Sequence, residues 1–324
     1  MEALLQLGTS ALKKAALNLE AKEYILSNPV LYKTLRKAAE RYIGGETLAE
    51  TLVKVEGYST QGFKTSIEFM GESTRTVAEA AEATQEFQRI ISAIRKKGLH
   101  ATVSLDLSHI GLAISQELCL QHMHQICTDA QAGNIEVIIS AEGHERTDEV
   151  IDTYLKLQQQ FPNTGITLQA YLHRSADDFK QLIQQPGRIR IVKGAFDTPS
   201  DISLPRGEQL NKVYLDYVTT LLQQGHLCSI ATHDPYIQQE AQKIIQTINP
   251  DKSNYEFESL YGIQTQQLIQ LKEAGYPTKL YFVYGKEWYL YLCNRIAEYP
   301  LNLFQAINDI VTTPPKPLSS PNHS

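Results

Sequence analysis

The sequence predicts an α/β chain whose strands close into a (β/α)8 TIM-like barrel behind an N-terminal helical segment. Three observations carry that expectation. Short β-branched runs recur eight times, the segments between them have helical period and helix-end signals, and successive runs are about 23 to 39 residues apart. That spacing accommodates a strand plus a crossover helix, which makes neighbouring strands parallel. An open doubly wound sheet of eight strands produces the same pattern and stands as the alternative.

Residues 1–60 read as helices: Ala, Leu, Lys and Glu runs are broken at Asn28-Pro29 and Gly44-Gly45, with no strand-like stretch among them. The strand-like runs follow at 65–71, 101–108, 134–142, 165–172, 188–196, 227–233, 254–261 and 277–285. Ser175 and Asp234-Pro235 are expected to open helices, and Gly98, Gly133, Gly225 and Gly275 to close others. The barrel is expected to occupy residues 61–312. The tail 313–324 has too much proline and too little apolar surface to order itself and is expected to be disordered.

Hydrophobic residues make up 42% and charged residues 20% of the 324, a mixture that supplies a core and excludes a disordered chain. The formal net charge of −6 offers no basic field for phosphates, which argues against nucleic acid and anionic lipid surfaces as partners. Cys119, Cys127, Cys228 and Cys293 lie in apolar segments without CxxC spacing. They suit buried thiols in a reducing compartment and argue against disulfides and structural zinc. No apolar run reaches the roughly 20 residues that span a bilayer, so no integral membrane segment is expected. Met1-Glu2-Ala3 lacks the layout of a secretory signal, and a cytoplasmic location is the expectation.

In a barrel the interior is packed, so reactive groups belong where strands end in βα loops. The strand ends here carry Glu72; Asp106, Ser108 and His109; Glu142 and His144; Gln169, Tyr171 and His173; Lys193; Thr232 and His233; Glu258 and Tyr261; Tyr281 and Tyr284. Few are apolar. Lys193 with the permissive Gly194 lets an ammonium and backbone amides approach a phosphate; a surface lysine at a turn is the plain alternative. Thr232-His233-Asp234-Pro235 ends a strand and opens a helix, so its amides face an anion at the rim while Asp234 caps the helix. Glu142-Gly143-His144-Glu145 puts a carboxylate and an imidazole on one face without further ligands at fixed spacing, and no metal is expected. His122 and His124, at i and i+2 of a helical segment, do not share a face and read as solvated or core-edge residues. GxGxxG, Walker-type, GxSxG and HExxH motifs are all absent.

Several of these segments together resemble the proline dehydrogenase family, over about residues 65 to 312. The most specific are Arg190-Ile-Val-Lys-Gly-Ala195, Ile230-Ala-Thr-His-Asp-Pro235, Tyr255-Glu-Phe-Glu-Ser-Leu-Tyr-Gly262, Tyr281-Phe-Val-Tyr-Gly285 and Tyr291-Leu-Cys-Asn-Arg-Ile-Ala-Glu298. Members of that family hold FAD in a distorted (β/α)8 barrel and oxidise proline to pyrroline-5-carboxylate by hydride transfer. The resemblance implies Arg190 beside the flavin N5 and O4, where a fixed guanidinium stabilises charge that builds on the ring. It implies Lys193, Gly194 and Ala195 on the pyrophosphate side, Gln169 at the isoalloxazine edge, and Thr232 with His233 at phosphate and ribose. Glu142 takes the position of a family aspartate, with Gly143 next to the flavin. Tyr281 and Tyr291 match tyrosines that wall the substrate ring.

The sequence also departs from the family pattern. A family lysine at the end of the second strand and two consecutive arginines on the last helix clamp the substrate carboxylate. Here those positions are Asp106, Asn294 and Arg295. Losing two charge-assisted bonds weakens a bound carboxylate by about 3–6 kcal/mol. Asp106 adds repulsion, and Arg295 has Glu298 at i+3 as an alternative partner. Phe196 and Glu258 replace a common tyrosine and glutamine, which points to a reshaped pocket. Two readings follow: a proline dehydrogenase of proline catabolism anchored by Arg295 alone, or oxidation of a related cyclic or secondary amine without a strongly recognised carboxylate. A flavin-binding scaffold without catalysis, and a flavin-free lyase using Lys193 as a Schiff base, are the readings from other classes. The family usually passes its electrons to a membrane quinone, which at most asks for a peripheral encounter at the inner membrane face.

Overall fold

A computed structural model describes residues 14, 18–71, 73–196, 198–298 and 310. Two compact units share the chain: residues 1–43 with 286–324, and Gly44–Gly285. The second unit holds all eight strands: β1 (Lys64–Phe69), β2 (Ala101–Leu105), β3 (Val137–Ile139), β4 (Thr164–Gln169), β5 (Ile189–Val192), β6 (Cys228–Ala231), β7 (Tyr255–Leu260) and β8 (Thr278–Tyr284). Helices α1 (Leu19–Ser27) and α2 (Pro29–Glu40) belong to the first unit. Helices α3 (Leu48–Thr60), α4 (Val77–Lys97), α5 (Gln116–Gln131), α6 (Thr147–Gln158), α7 (Ser175–Leu182), α8 (Glu208–Gln223), α9 (Pro235–Ile248) and α10 (Thr265–Glu273) belong to the second. Helix α11 (Trp288–Glu298) returns to the first.

The strands pair in sequence order, all parallel, and β1 also pairs with β8 from Lys64–Lys279 to Phe69–Tyr284. That last pairing closes the barrel and excludes the open doubly wound sheet. Alternation explains how the strands are sided. Val103, Leu105, Val137, Ile139, Ile189, Ile191, Ile230, Phe257, Leu280 and Phe282 are buried in one apolar cluster with helix residues such as Phe87, Ile90, Tyr154 and Leu221. The intervening residues face inward. Their bonds show it, because Arg190 on β5 reaches Ser104 on β2, and Ser140 beyond β3 reaches Glu68 on β1, connections that only the barrel interior permits.

That interior is polar where barrels usually carry branched apolar layers. Near the strand starts Lys279 pairs with Glu256, Lys64 lies 3.1 Å from Glu256, and Arg188 donates to Glu136 at 2.9 Å. Lys279 and Glu256 are each about 1% exposed, a charge pair that survives burial because each ion has opposite charges around it. The Glu256 carboxyl is held below the usual range: burial pushes it up, but Lys279, Arg188 and Lys64 outweigh that.

Helix ends follow the signals in part. Asp234 caps α9 by accepting from Tyr236 N at 2.9 Å and Ile237 N at 3.4 Å. Ser175 opens α7 as its first residue, and its hydroxyl donates to Gln169 O at 2.6 Å rather than capping the helix amides, so it ties the helix to the end of β4. Gly98, Gly225 and Gly275 take positive φ after their helices, whereas Gly133 does not. The left-handed residue there is Asn134, at φ 51°. The strand-like runs overreach the strands because rim residues such as Lys193 and Gly194 belong to turns.

In the first unit the Tyr32 and Trp288 rings meet edge to face at 5.5 Å, and Lys22 bonds Glu287 at 2.5 Å. All four cysteines are free and buried. Among the described residues no helix is long and apolar enough to cross a membrane. The tail 313–324, Glu72 and the Glu298 side chain lie outside the described residues.

Candidate active site

Arg190 organises the upper half of the barrel interior. Its Nε donates to Thr167 Oγ1 at 2.9 Å, Nη1 to Ser104 Oγ at 2.9 Å and Glu258 Oε1 at 3.1 Å, and Nη2 to Ser140 Oγ at 3.1 Å. Four of its five N–H groups are thus engaged among the described residues, and the guanidinium is fixed in orientation. The Tyr281 ring lies 5.0 Å from its centre, and the Tyr281 hydroxyl donates to Glu68. Glu68 accepts a second bond from Ser140 at 3.0 Å. Burial opposes the charge on Arg190, yet the carboxylate of Glu258 keeps its pKa raised.

Carboxyls crowd the same region. Asp106 follows β2, and its pKa is held well above the usual carboxylate range, first by burial and then by Glu68 and Glu142, with Arg190 offsetting only part. Burial also raises Glu68, against its bonds to Tyr281 and Ser140. Glu142 is raised by burial although its Oε1 accepts from Ser108 N at 2.6 Å. The folded chain therefore binds the protons of Asp106 and Glu68 more tightly than the unfolded chain, where such groups titrate near ~4. Their stabilising contribution is full below that pH and is lost as pH rises through the raised values. Asp106→Asn is accordingly expected to gain about 0.5–2 kcal/mol at about pH 8, with the difference closing toward about pH 4. Urea unfolding at both pH values measures it; equal curves at the higher pH contradict it.

The turn after β5 forms a second part of the rim. Gly194 has φ 110°, and a Cβ there would strike the Tyr171 ring. The Gly194 carbonyl also accepts from Arg206. Lys193 Nζ lies 2.5 Å from Asp234 Oδ2, so the aspartate caps α9 and pairs with the lysine at once. His233 Nε2 accepts from Leu260 N at 2.9 Å, which leaves the ring proton of the neutral imidazole on Nδ1. Thr232 Oγ1 accepts from Asp234 N at 3.1 Å. Gly194→Ala is expected to cost about 1–3 kcal/mol of stability, because a left-handed backbone and an occupied Cβ position both oppose it. An unchanged melting midpoint contradicts that expectation.

Gln169, at the end of β4, donates to the Glu142 carbonyl at 2.9 Å and so joins the loop that carries Glu142 and Gly143 to the barrel mouth. A side chain at position 143 would meet the Glu145 carboxylate. The barrel unit thus brings together Asp106, Glu142, Gly143, Gln169, Arg190, Tyr281 and, across the β5 and β6 turns, Lys193, Gly194, Ala195, Thr232 and His233. Tyr291, Asn294 and Arg295 lie on α11 in the other unit, where the Arg295 guanidinium sits 4.9 Å from the Tyr291 ring centre.

Several strand-end residues do other work. Tyr284 faces outward and donates to Glu86 on α4 at 2.7 Å, and Tyr261 stacks outside the barrel on Phe282 at 4.7 Å. His109 is buried against Phe69, and burial lowers its pKa to about 4, so the ring stays neutral. His122 is buried with Nδ1 2.8 Å from Ile110 O, and His124 sets its ring edge to face against Phe161. The residues that sequence reasoning passed over are Glu68, Ser104, Ser140, Thr167 and Lys279. Their signal was present as polar residues that alternate with apolar ones along most of the strands and at their ends.

Comparison with known proteins identifies the family and the fold. The family model described as proline dehydrogenase matches residues 51–299. Proline dehydrogenase 1 of Bacillus subtilis (strain 168) is 30% identical over 269 residues, 82% of this chain and 88% of that protein. The proline dehydrogenase of Deinococcus radiodurans is 29% identical over 269 residues, 82% of this chain and 87% of its own. Among solved structures, proline utilization A (PutA) from Bdellovibrio bacteriovorus, inactivated by N-propargylglycine, superposes with a TM-score of 0.78 at 17% identity. The match covers 96% of this chain but 41% of that longer one, and it speaks for the fold. With eight parallel strands closed around a buried arginine, and a family match that runs from within α3 through α11, the chain belongs to the proline dehydrogenase family.

Proposed function

We propose that this protein is an FAD-dependent dehydrogenase that oxidises the carbon alpha to a ring nitrogen, with proline going to pyrroline-5-carboxylate. The observation that carries the reading is Arg190: a buried guanidinium, fixed by four hydrogen bonds inside the barrel of a proline dehydrogenase family member. The residues present fit FAD. A dinucleotide needs donors for its pyrophosphate, and the Gly194 turn, its Cβ position filled by Tyr171, follows Lys193, whose pairing with Asp234 brings the turn beside the loop of Thr232 and His233. Glu142, Gly143 and Gln169, joined by the Gln169 to Glu142 carbonyl bond, would line the isoalloxazine end.

Bound FAD supplies a two-electron acceptor for the hydride that leaves the amine carbon as an imine forms. The chain's residues do the rest. Arg190 would hold fixed positive charge where negative charge builds on a flavin bound beside it. Tyr281 presents a flat ring, with its hydroxyl held by Glu68. The amine must lose its proton before the hydride departs, so turnover should rise through alkaline pH, and a flat profile between about pH 6 and 9 counts against the scheme. A membrane quinone as final acceptor and a peripheral meeting with the inner membrane face rest on the resemblance alone, and a cytoplasmic location on the sequence pattern of the N-terminus and the cysteines.

A second reading is favoured by the side chains at positions 106 and 294, an aspartate and an asparagine where the family pattern has cations. A carboxylate substrate is poorly served there, so a related cyclic or secondary amine lacking that group binds better. Anaerobic addition of proline, hydroxyproline and uncharged proline analogues to the FAD-loaded protein decides between them. Bleaching by proline supports the first reading, bleaching by neutral analogues alone the second, and bleaching by none leaves a flavin-binding scaffold.

A further inference from the structure

Glu258 is the carboxylate that faces Arg190. Its Oε1 accepts from Arg190 Nη1 at 3.1 Å, with side chains 5% and 3% exposed, while its Oε2 lies 3.6 Å from Lys279 Nζ. The strand register explains the placement. Glu258 on β7 pairs with Lys279 on β8 and with Ala231 on β6, while Arg190 on β5 pairs with Ser229 on β6, so the ion pair reaches across the intervening strand β6. Glu258 thereby links the cation layer near the strand starts to the guanidinium above it. The other groups in hydrogen-bond or ring contact with that guanidinium are the uncharged hydroxyls of Ser104, Ser140 and Thr167 and the Tyr281 ring, while Glu68 and Asp106 act on it without a direct hydrogen bond and are pushed by burial toward their neutral forms.

A guanidinium in direct contact with a carboxylate presents less positive charge to a third group than one held by hydroxyls alone, and the low dielectric of the interior enlarges the difference. We propose that Glu258 is a positioning residue that holds Arg190 and, by cancelling part of its charge, makes the bound flavin harder to reduce. This rests on the reading that FAD lies beside Arg190. Replacing Glu258 by glutamine leaves an oxygen to accept from Nη1 and removes only the charge.

The test is the midpoint potential of the flavin in the FAD-loaded full chain, measured by anaerobic reductive titration at one pH. Glu258→Gln is expected to favour the reduced flavin about tenfold, a shift of about 30 mV to more positive potential for a two-electron couple. Glu258→Asp, which withdraws the carboxylate from the guanidinium but keeps its charge near Lys279, is expected to shift the same way by less. It supplies the answer should the glutamine variant not fold. Arg190→Met is expected to shift the potential to more negative values. Unchanged potentials at position 258 alongside that negative shift overturn the role of Glu258 and leave FAD beside Arg190. Should Arg190→Met also leave the potential unchanged, the placement of the flavin falls with it.

Discussion

Replacing Arg190 by methionine is expected to cost about 3–5 kcal/mol of folding stability and, in the FAD-loaded protein, about 10²–10³ in the rate of flavin reduction. The stability loss follows from what the substitution leaves behind. Glu258 keeps its charge in a barrel where it is 3% exposed, and Ser104, Ser140 and Thr167 each lose a donor. Lys279, 3.6 Å from Glu258, compensates part of the orphaned charge, which places the loss toward the lower end of the range. A second substitution separates the two effects. Arg190→Met with Glu258→Gln should recover most of the stability, because no buried charge is left unpaired, yet none of the rate. Denaturant unfolding and rapid-mixing flavin reduction measure the pair; a double variant as unstable as the single one contradicts the ion-pair assignment.

By the carboxylate clamp that the family resemblance implies, Asp106→Lys together with Asn294→Arg is expected to tighten proline binding by about 10²–10⁴, read as a lower KM for proline. Each restored cation contributes one charge-assisted bond to the carboxylate, worth roughly 1.5–3 kcal/mol. The lysine also removes a carboxyl crowded by Glu68 and Glu142, so the barrel should tolerate it. Uncharged analogues should lose ground to proline in the same variant. An unchanged KM for proline means that these positions do not clamp a carboxylate in this protein.

The barrel was legible because its signal is local. Eight β-branched runs alternate with helical ones, and each residue that makes a run visible, such as Val103, Ile139 or Ile191, packs on the helix side of its strand. The polar interior was legible only in halves. Lys64-x-Ser66-x-Glu68, Thr102-x-Ser104-x-Asp106, Arg188-x-Arg190 and Glu256-x-Glu258 show alternation in the sequence, but which of these groups meet depends on register and on distance across the barrel. Hence Arg190 was expected at a flavin edge without its partners Glu258, Ser104, Ser140 and Thr167. Tyr261 and Tyr284 were placed with the strand ends because they are polar and close to the rim, and the pleat turns both away from it. Lys193 and Asp234 were each read as a turn residue and a cap; their ion pair joins two loops 41 residues apart, which no local pattern encodes.

A crystal structure of the FAD-loaded protein bears most directly on the place of Arg190. The expected result is the guanidinium within hydrogen-bonding reach of the isoalloxazine N5 and O4 edge, still paired with Glu258, with the pyrophosphate over the Lys193 to Ala195 turn. A flavin bound elsewhere, or one whose N5 edge is turned away from Arg190, contradicts it.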